Sequence, residues 1–236
     1  MSRHLILLRH GETTFNFDGR MQGHLDTPLT DNGRAQARSA GEALVDAGIT
    51  KIVTSDLSRA RETAEIVGSM IGVPVEVDER LRETHLGKWQ GMRHSDIDEQ
   101  YPGDRARWAY REDWAPEGGE TRTEVIARSR PVIEDLMVNY PDWEHNTVLL
   151  VSHGGTIKGL AASLLKVHPL MSGLGNACWA QLTARPHFNG LNTDFSGEGD
   201  DFVPHSDFTP GDVEQAMNAD WYLDGWNLGL KIRRTR

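Results

Sequence analysis

The chain has 236 residues, 38% of them hydrophobic and 25% charged, and its 35 acidic side chains outnumber its 25 lysines and arginines to give a formal net charge of −10. This length and composition suit one compact domain with a substantial hydrophobic core. The negative field repels nucleic acids and anionic membrane surfaces, so neither is predicted as a partner. An anionic substrate would need a local cluster of arginines to overcome that field.

The cysteine count and the apolar runs restrict the chemistry and the surroundings of the protein. Cys178 is the only cysteine, so the chain can form neither an internal disulfide nor a zinc site with several thiolates. We interpret it as a packing residue. No stretch resembles a signal peptide or is long enough to cross a membrane. The expectation is a cytoplasmic protein with no membrane partner.

Apolar residues predict strands and helices that alternate along the chain. In chain order, the predicted strands are residues 4–8, 51–55, 73–77, 147–152 and 221–230. The predicted helices between them are residues 37–47, 57–71, 125–136 and 157–164. The runs at 4–8 and 147–152 are continuously apolar, which is typical of parallel strands covered on both faces. The alternation predicts a layered α/β fold.

Two segments depart from this pattern. Residues 89–120 are rich in tryptophan, arginine and acidic side chains and are interpreted as an insertion over one edge of the sheet. Residues 186–220 are polar and glycine-rich, with "SGEGDD" at their centre, and are predicted to form a long loop. With no internal repeat, the prediction is a single domain over residues 1–236.

Chemically active side chains follow the predicted strands. Arg9 and His10 come directly after the first strand, and His153 follows the strand at 147–152. Arg59 lies in the first turns of a helix, and Glu83 follows the strand at 73–77 after a short link. Because the carboxyl ends of parallel strands form the ligand crevice of open sheets, these residues are expected to meet there.

Each of these residues also has a structural interpretation. A lone histidine at a strand end is usually a hydrogen-bonded structural residue, and Arg59 could simply pair with Glu62 or Glu65. Taken together, five such residues at one edge favour a functional site. A metal hydrolase is the weaker alternative, since the chain has no H-E-x-x-H pair and no cysteine pair. We therefore predict no metal and no cofactor.

Longer motifs carry a family resemblance. "LLRHGET" with Asn16, then "RMQGHLDTPLTDNG", "SDLSRARETAEIV", "LRETHLGKWQG" and "VSHGGTIKGL" resemble the ordered signatures of the histidine phosphatase superfamily, the phosphoglycerate-mutase-like proteins. The resemblance covers residues 5 to about 165. It implies a three-layer α/β/α sandwich with a mostly parallel central sheet, helices on both faces and a small insertion, residues 89–120, that caps the active site.

The resemblance also implies a role for each matching residue. His10 becomes the nucleophile that is phosphorylated, and Glu83 becomes the proton donor. The implied phosphate pocket consists of Arg9, Arg59 and His153. Further implied substrate contacts are Asn16, Gln22, Gly23 and Gly154.

A narrower resemblance points to one branch of this superfamily, the glucosyl-3-phosphoglycerate phosphatases. It rests on "RLRETHLGKWQGMRHSDID", "WAPEGGETR", "ARSRPVIEDL", "LGNACWAQL" and "WYLDGWN". Residues 187–215 depart from the pattern of that branch. The resemblance implies a small-molecule phosphomonoester substrate, either glucosyl-3-phosphoglycerate or a related sugar or glycerate phosphate, and a homodimer.

The expected mechanism is a double displacement. Neutral His10 attacks phosphorus, with its other ring nitrogen held protonated by a nearby backbone carbonyl. Arg9 and Arg59 match phosphate oxygens with planar forks, and a charged His153 adds a third donor. Glu83 must be protonated when the ester bond breaks, because a sugar or glycerate alkoxide is a poor leaving group.

Three other functions remain open at this stage. A 2,3-bisphosphoglycerate-dependent phosphoglycerate mutase is disfavoured, because mutases of the superfamily carry a longer insertion with a paired-arginine segment that residues 92–120 lack. A broad-specificity phosphatase is a serious alternative. A catalytically idle relative would have lost His10, Arg59, Glu83 or His153, and all four are present.

The aromatic residues of the insertion have two interpretations. Trp108, Tyr110 and Trp114 could stack on a sugar ring. An aromatic cluster within an insertion is more often its own small core.

Overall fold

The computed structural model describes residues 2–167, 171–187, 208 and 213–229. The strands of this part are β1 (Arg3–Arg9), β2 (Ile49–Thr54), β3 (Val75–Val77), β4 (Thr147–Ser152), β5 (Trp179–Arg185) and β6 (Asp220–Leu228). They form one sheet in the order β3-β2-β4-β1-β5-β6. Strands β1 to β4 are parallel, and β5 is antiparallel to both of its neighbours. The prediction of a mostly parallel sheet is confirmed.

Helices cover both faces of this sheet. They are α1 (Thr14–Phe17), α2 (Asp31–Leu44), α3 (Ser58–Ile71), α4 (His94–Gln100), α5 (Asp104–Tyr110), α6 (Arg122–Asn139), α7 (Gly154–Leu165) and α8 (Val213–Met217). Among the described residues, no helix has both the length and the hydropathy needed to cross a bilayer.

Strand β1 shows how the two faces are divided. Leu5 and Leu7 pack in the core that contains the apolar faces of α6 and α7. Ile6 and Leu8 point to the opposite face and pack against α2 and α3. Successive strand residues alternate between faces, so a continuous apolar run fills two cores at once. The predicted three-layer α/β/α sandwich is confirmed.

Strand β5 is the element that the apolar pattern does not reveal. Gln181 and Thr183 interrupt its sequence, so it has no continuous apolar run. Thr183 is nevertheless buried, and its hydroxyl group hydrogen-bonds His4 Nδ1 at 3.0 Å and Asp224 at 2.5 Å. A buried hydroxyl with partners is compatible with a central strand, and only the fold supplies those partners.

The predicted cap, residues 89–120, contains α4 and α5. Leu86, Trp89 and Ile97 form a small separate core there. The predicted polar loop over 186–220 falls mostly outside the described residues. Within its described part, Phe208 is buried in the main core and Val213–Met217 is helical. The division of the chain into one domain with these two segments stays a prediction.

Candidate active site

Two histidines lie side by side where neighbouring parallel strands end. His10 follows β1 and His153 follows β4, and these strands pair in register with Arg9 opposite Ser152. The two imidazole ring centroids are 5.2 Å apart. Because the order of the sheet places β1 next to β4, two positions 143 residues apart in sequence meet at its carboxyl edge.

His10 is oriented by the backbone beside it. Its Nδ1 donates a hydrogen bond to the carbonyl oxygen of Gly11 at 2.7 Å, and its backbone N–H donates to Ser152 O. A carbonyl can only accept, so Nδ1 carries the proton and Nε2 carries the lone pair. Burial lowers the pKa of this imidazole well below 6.5, and Arg59 and Arg9 lower it further. His10 is therefore neutral in this pocket.

Arg59 is completely buried in the first turn of α3. Its Nη1 donates to Leu25 O at 2.9 Å and its Nη2 to Gly23 O at 2.8 Å. Burial lowers its pKa to about 10, so the guanidinium group stays charged at neutral pH. The alternative pairing of Arg59 with a nearby acid on its own helix does not occur, since Glu62 pairs with Arg34 and Glu65 with Arg61.

A residue outside the helix fixes where α3 begins. Leu57 occupies the N-cap position, where its apolar side chain accepts no hydrogen bond, and its backbone N–H donates to Ser55 Oγ at 3.3 Å. Instead, the carboxylate of Asp26 accepts from the backbone N–H and the hydroxyl group of Ser58, at 2.8 and 2.7 Å. The segment that supplies carbonyls to Arg59 therefore also caps the helix that carries it.

Gly23 occupies a position that only glycine fits. Its φ of +56° lies in the left-handed region, and a Cβ there would come within 2.3 Å of Gln90 Oε1. The predicted substrate contact at Gly23 is thus also a turn that aims one carbonyl at Arg59.

Three buried nitrogen atoms of the site make no hydrogen bond within the described residues. The Nε atoms of Arg9 and Arg59 and the Nδ1 atom of His153 are buried and make no hydrogen bond within the described part of the chain. Arg9 Nη1 donates to Leu174 O, which orients this guanidinium group. Leaving a buried polar group unpaired is costly. The arrangement suits an anion with several oxygens.

His153 is buried beside His10. It is completely buried, and its Nε2 hydrogen-bonds Ser55 Oγ at 3.0 Å. Burial lowers its pKa well below 6.5, and Arg59, His10 and Arg9 add to the effect. These effects favour the neutral imidazole, and the charged state expected for His153 beside a bound phosphate stays a prediction. His153 and Gly154 do not line the open cleft, whereas Gly155 does.

Glu83 is held at the N-terminus of α7. Its Oε1 accepts from the backbone N–H groups of Thr84 and Thr156, at 2.9 and 3.2 Å, and its Oε2 accepts from Gly155 N at 3.1 Å. These N–H groups are among those that a helix leaves unpaired at its start. A Cβ at position 155 would lie 2.5 Å from Glu83 Oε1, so the glycine makes room for the carboxylate.

The backbone carbonyl of Glu83 is fixed by residues that the sequence analysis missed. Arg128 Nη2 donates to it at 2.8 Å and His24 Nε2 donates to it at 2.7 Å. Arg128 in turn forms a two-bond ion pair with Glu120, at 2.9 and 3.0 Å. Only the spacing of Glu120 and Arg128 along the chain could have suggested their pairing, and nothing in the sequence links either of them to Glu83.

Two amide side chains complete the inner cleft. Gln22 Oε1 accepts from the hydroxyl groups of Thr13 and Thr27, at 2.9 and 2.6 Å. Asn16 Oδ1 accepts from Asn176 Nδ2 at 3.0 Å. Because the oxygens are occupied, the amide NH₂ groups of Asn16 and Gln22 are the atoms left to donate to a ligand.

One cleft joins these groups. His10, Arg9, Arg59, Glu83, Asn16, Gln22 and Gly23 all line it. Its outer part is lined by Phe15, Arg20, Met21, Leu86, His94 and Trp108. Of the cap's three predicted aromatic contacts, Trp108 lines the cleft, Trp114 packs on Trp89 and Tyr110 is largely exposed. In the described ranges, no group of three or more metal-ligating side chains is suited to hold a metal ion.

A family profile and the sequences of related proteins all match this chain to the same family. The profile of the "Histidine phosphatase superfamily (branch 1)" matches residues 5–192. The chain is 46% identical over 238 residues to a glucosyl-3-phosphoglycerate phosphatase of Mycolicibacterium vanbaalenii, covering 98% of this chain and 96% of the relative. It is 42% identical over 240 residues to the protein of that name from Mycobacterium tuberculosis strain H37Rv, covering 98% and 97%.

The similarity covers almost the whole chain for a solved phosphatase structure and about two thirds of it for a mutase relative. A mycobacterial glucosyl-3-phosphoglycerate phosphatase in complex with VO3 superposes with a TM-score of 0.79 at 43% identity, covering 95% of this chain and 98% of that chain. A probable phosphoglycerate mutase of Photorhabdus laumondii is 38% identical over 170 residues, which cover 67% of this chain and 76% of the relative.

Proposed function

This chain belongs to the histidine phosphatase superfamily, and we propose that it hydrolyses glucosyl-3-phosphoglycerate, or a related sugar or glycerate phosphate, through a phosphohistidine intermediate. The observation that carries the proposal is the pairing of His10 Nδ1 with Gly11 O, which leaves a neutral Nε2 among buried arginine donors. The names of the two near-full-length relatives support the substrate.

In the first step, the Nε2 lone pair of His10 attacks phosphorus. The new N–P bond forms as the P–O bond to the leaving group breaks. Protonated Glu83 gives its proton to the leaving oxygen, which departs as an alcohol.

The phosphoryl group is stabilised by donors that are already in place. Arg9 and Arg59 provide N–H groups that make no other hydrogen bond in the described part of the chain, and Asn16 and Gln22 present amide NH₂ groups. Charge on the peripheral oxygens is met without rearrangement of these side chains, because backbone carbonyls already orient both guanidinium groups.

In the second step, water attacks the phosphohistidine. The Glu83 carboxylate accepts the proton of the attacking water, the N–P bond breaks, and orthophosphate leaves while His10 returns to its neutral form. Backbone N–H groups of Gly155 and Thr156 hold the carboxylate in position for both transfers.

Hydrolysis is favoured over the mutase reaction, in which the phosphoryl group would be transferred to another hydroxyl group of the product. The relatives that match 98% of this chain are named as phosphatases, while the mutase relative matches 67% of it. Offering 3-phosphoglycerate with a trace of the bisphosphate distinguishes the two: release of orthophosphate supports a phosphatase, and rapid formation of the 2-isomer overturns it.

A substrate panel with chelator present tests the reaction and its specificity together. We expect glucosyl-3-phosphoglycerate to have the highest kcat/KM and EDTA to leave the rate unchanged. Equal rates for unrelated phosphomonoesters would instead support the broad-specificity alternative.

Trapping tests the intermediate. Quenching turnover in base should preserve a phosphoryl group on His10 that acid then removes, and His10→Ala should carry none. Glu83→Gln should lose about 10²–10⁴-fold of its turnover of sugar phosphates. If the wild-type protein carries no phosphoryl label after either the acid or the base quench, the scheme is contradicted.

Cytoplasmic location and a homodimer, both stated from the sequence, stay predictions. Cell fractionation tests the first, and light scattering of the purified protein tests the second.

A further inference from the structure

The proposed substrate carries a second anionic group. In glucosyl-3-phosphoglycerate, the phosphorylated oxygen belongs to a glycerate unit whose carboxylate lies two carbons away. The sequence does not indicate which cation would bind that carboxylate. The answer has to be sought on the Glu83 side of the cleft, because Glu83 protonates the oxygen to which the glycerate unit remains attached.

Arg122 lies beside the cleft, in contact with Trp108, which lines it. It is the first residue of α6, and its guanidinium carbon lies 4.9 Å from the centroid of the Trp108 ring. Trp108 lines the same cleft as Glu83. The carboxylates of Glu112 and Glu83 are near enough to act on the charge of Arg122 electrostatically.

The Arg122 guanidinium group is half-buried but has no hydrogen bond or ion pair to any residue that the structure describes. Burial lowers its pKa despite the two carboxylates. Other arginines with a comparable environment are paired: Arg82 with Asp56, Arg128 with Glu120 and Arg130 with Glu134. Arg122 thus resembles Arg9 and Arg59, whose donors await an anion.

A second cation strengthens the positive potential at this position. Lys158 on α7 is partly buried, and both burial and the charge of Arg122 lower its pKa. Two neighbouring cations raise the local positive potential and so favour an incoming anion. The planar fork of arginine matches a carboxylate with two parallel hydrogen bonds, which the lysine ammonium cannot provide.

We propose that Arg122, held on the face of Trp108, binds the carboxylate of the substrate's glycerate unit and makes the enzyme select carboxylate-bearing phosphomonoesters. This inference rests on the proposed function. It gives the cap insertion a part in specificity, because the tryptophan that supports Arg122 belongs to α5.

The wild-type enzyme gives the first test. Its kcat/KM is measured for glucosyl-3-phosphoglycerate and for the analogue in which the carboxylate is reduced to a primary alcohol. We expect a preference of about 10- to 100-fold for the carboxylate, the size of one charge-assisted pair. Equal values for the two substrates would overturn the inference without the need for any variant.

Two variants, one at Arg122 and a control at Arg107, give the second test. Arg122→Gln should lose that preference through a higher KM for the carboxylate-bearing substrate, while the reduced analogue is hydrolysed at the wild-type rate. Arg107→Gln is the matched control, because Arg107 lies 5.1 Å from the ring of Trp114, which does not line the cleft. The control should keep the preference.

The outcomes separate the inference from the proposed function. Hydrolysis of neither substrate by the wild type would reject the substrate assignment itself. Hydrolysis with a preference that survives in Arg122→Gln would reject only the role of Arg122. If Arg122→Gln does not fold, equal kcat/KM values of the wild type for the two substrates would still overturn the inference.

Discussion

Burial lowers the pKa of His10 and His153 well below 6.5, and the guanidinium groups of Arg59 and Arg9 add to the effect at both imidazoles. Neutral imidazole is the form that attacks phosphorus in the proposed mechanism, so the arginines proposed to bind the phosphoryl group would also keep His10 in its reactive form. A histidine exposed to solvent would be partly protonated at pH 6.5 and unable to attack.

These two pKa shifts predict how stability depends on pH. In the unfolded chain both histidines take up protons near pH 6.5, while the folded imidazoles resist until lower pH, so the unfolded state binds more protons in between. The free energy of unfolding therefore falls as pH decreases from about 6.5, by about 1.4 kcal/mol per pH unit for each histidine. Urea unfolding at pH 7, 6 and 5 measures this dependence of the free energy of unfolding on pH.

The histidine contribution can be isolated with a variant. His153→Asn should have a shallower loss of stability over the same pH interval, because one of the two groups no longer titrates. Equal slopes for the variant and the wild type would contradict the assignment of the effect to His153.

At the scale of elements, two helices position Glu83 from different directions. The start of α7 provides N–H groups to its carboxylate, and Arg128 on α6 donates to its backbone carbonyl. The carboxylate of Glu83 is thus held by the start of α7. Its backbone is held by Arg128, which is itself paired with Glu120.

Gly155→Ala tests the contact with α7. The added Cβ would lie 2.5 Å from Glu83 Oε1 and must displace the carboxylate, whereas Gly154→Ala would meet Arg9 Nε only at 3.5 Å. A displacement near 1 Å can cost about 100-fold in rate, so we expect a large fall in kcat for Gly155→Ala and a smaller one for Gly154→Ala. Equal losses in steady-state kinetics would argue against this steric explanation.

Arg128→Gln tests the contact with α6. A misplaced proton donor should slow the hydrolysis of sugar phosphates by up to about 100-fold but spare p-nitrophenyl phosphate, whose leaving group needs no proton. Arg130→Gln is the control, because Arg130 lies on the same helix, pairs with Glu134 and donates to Ser163. A loss of the same size on both substrates would indicate a purely structural role.

Sequence patterns revealed the elements that are covered on both faces and missed those that depend on partners. The continuous apolar runs predicted β1 and β4 to within one residue at each end. Strand β5 was missed because the hydroxyl of Thr183 is satisfied only across the sheet. The contact of Asp26 with the start of α3 could not be predicted, since Asp26 lies 32 residues before Ser58 in the chain.

At the scale of the whole molecule, segments from distant parts of the chain line one cleft. Arg9 follows from β1, Arg59 from α3 and Glu83 from the link after β3. Motifs at strand ends were enough to predict this convergence, because parallel strands share a carboxyl edge. The burial of His153 and the support of Glu83 were not predictable, since both depend on contacts between distant elements.

Such a site predicts that an anion stabilises the entire fold. Inorganic phosphate binds only the folded chain, so a concentration 100 times its Kd adds about 2.7 kcal/mol, which corresponds to roughly 5–10 °C in Tm for a domain of this size. Differential scanning fluorimetry with phosphate, and with chloride at equal ionic strength, measures the shift.

Neighbouring arginines on α3 supply the control for that measurement. Arg59→Gln should abolish the shift in Tm, while Arg61→Gln should keep it, because Arg61 is exposed and pairs with Glu65 on the same helix. A phosphate-induced shift that survives in Arg59→Gln would place the anion elsewhere.

The Gly11 carbonyl has a consequence for the chemistry of the modified enzyme. Since it engages one ring nitrogen of His10, phosphorylation is confined to the other, and the covalent species is the τ isomer alone. Isomer-selective antibodies or ³¹P spectra of the base-quenched protein should therefore find no π-phosphohistidine.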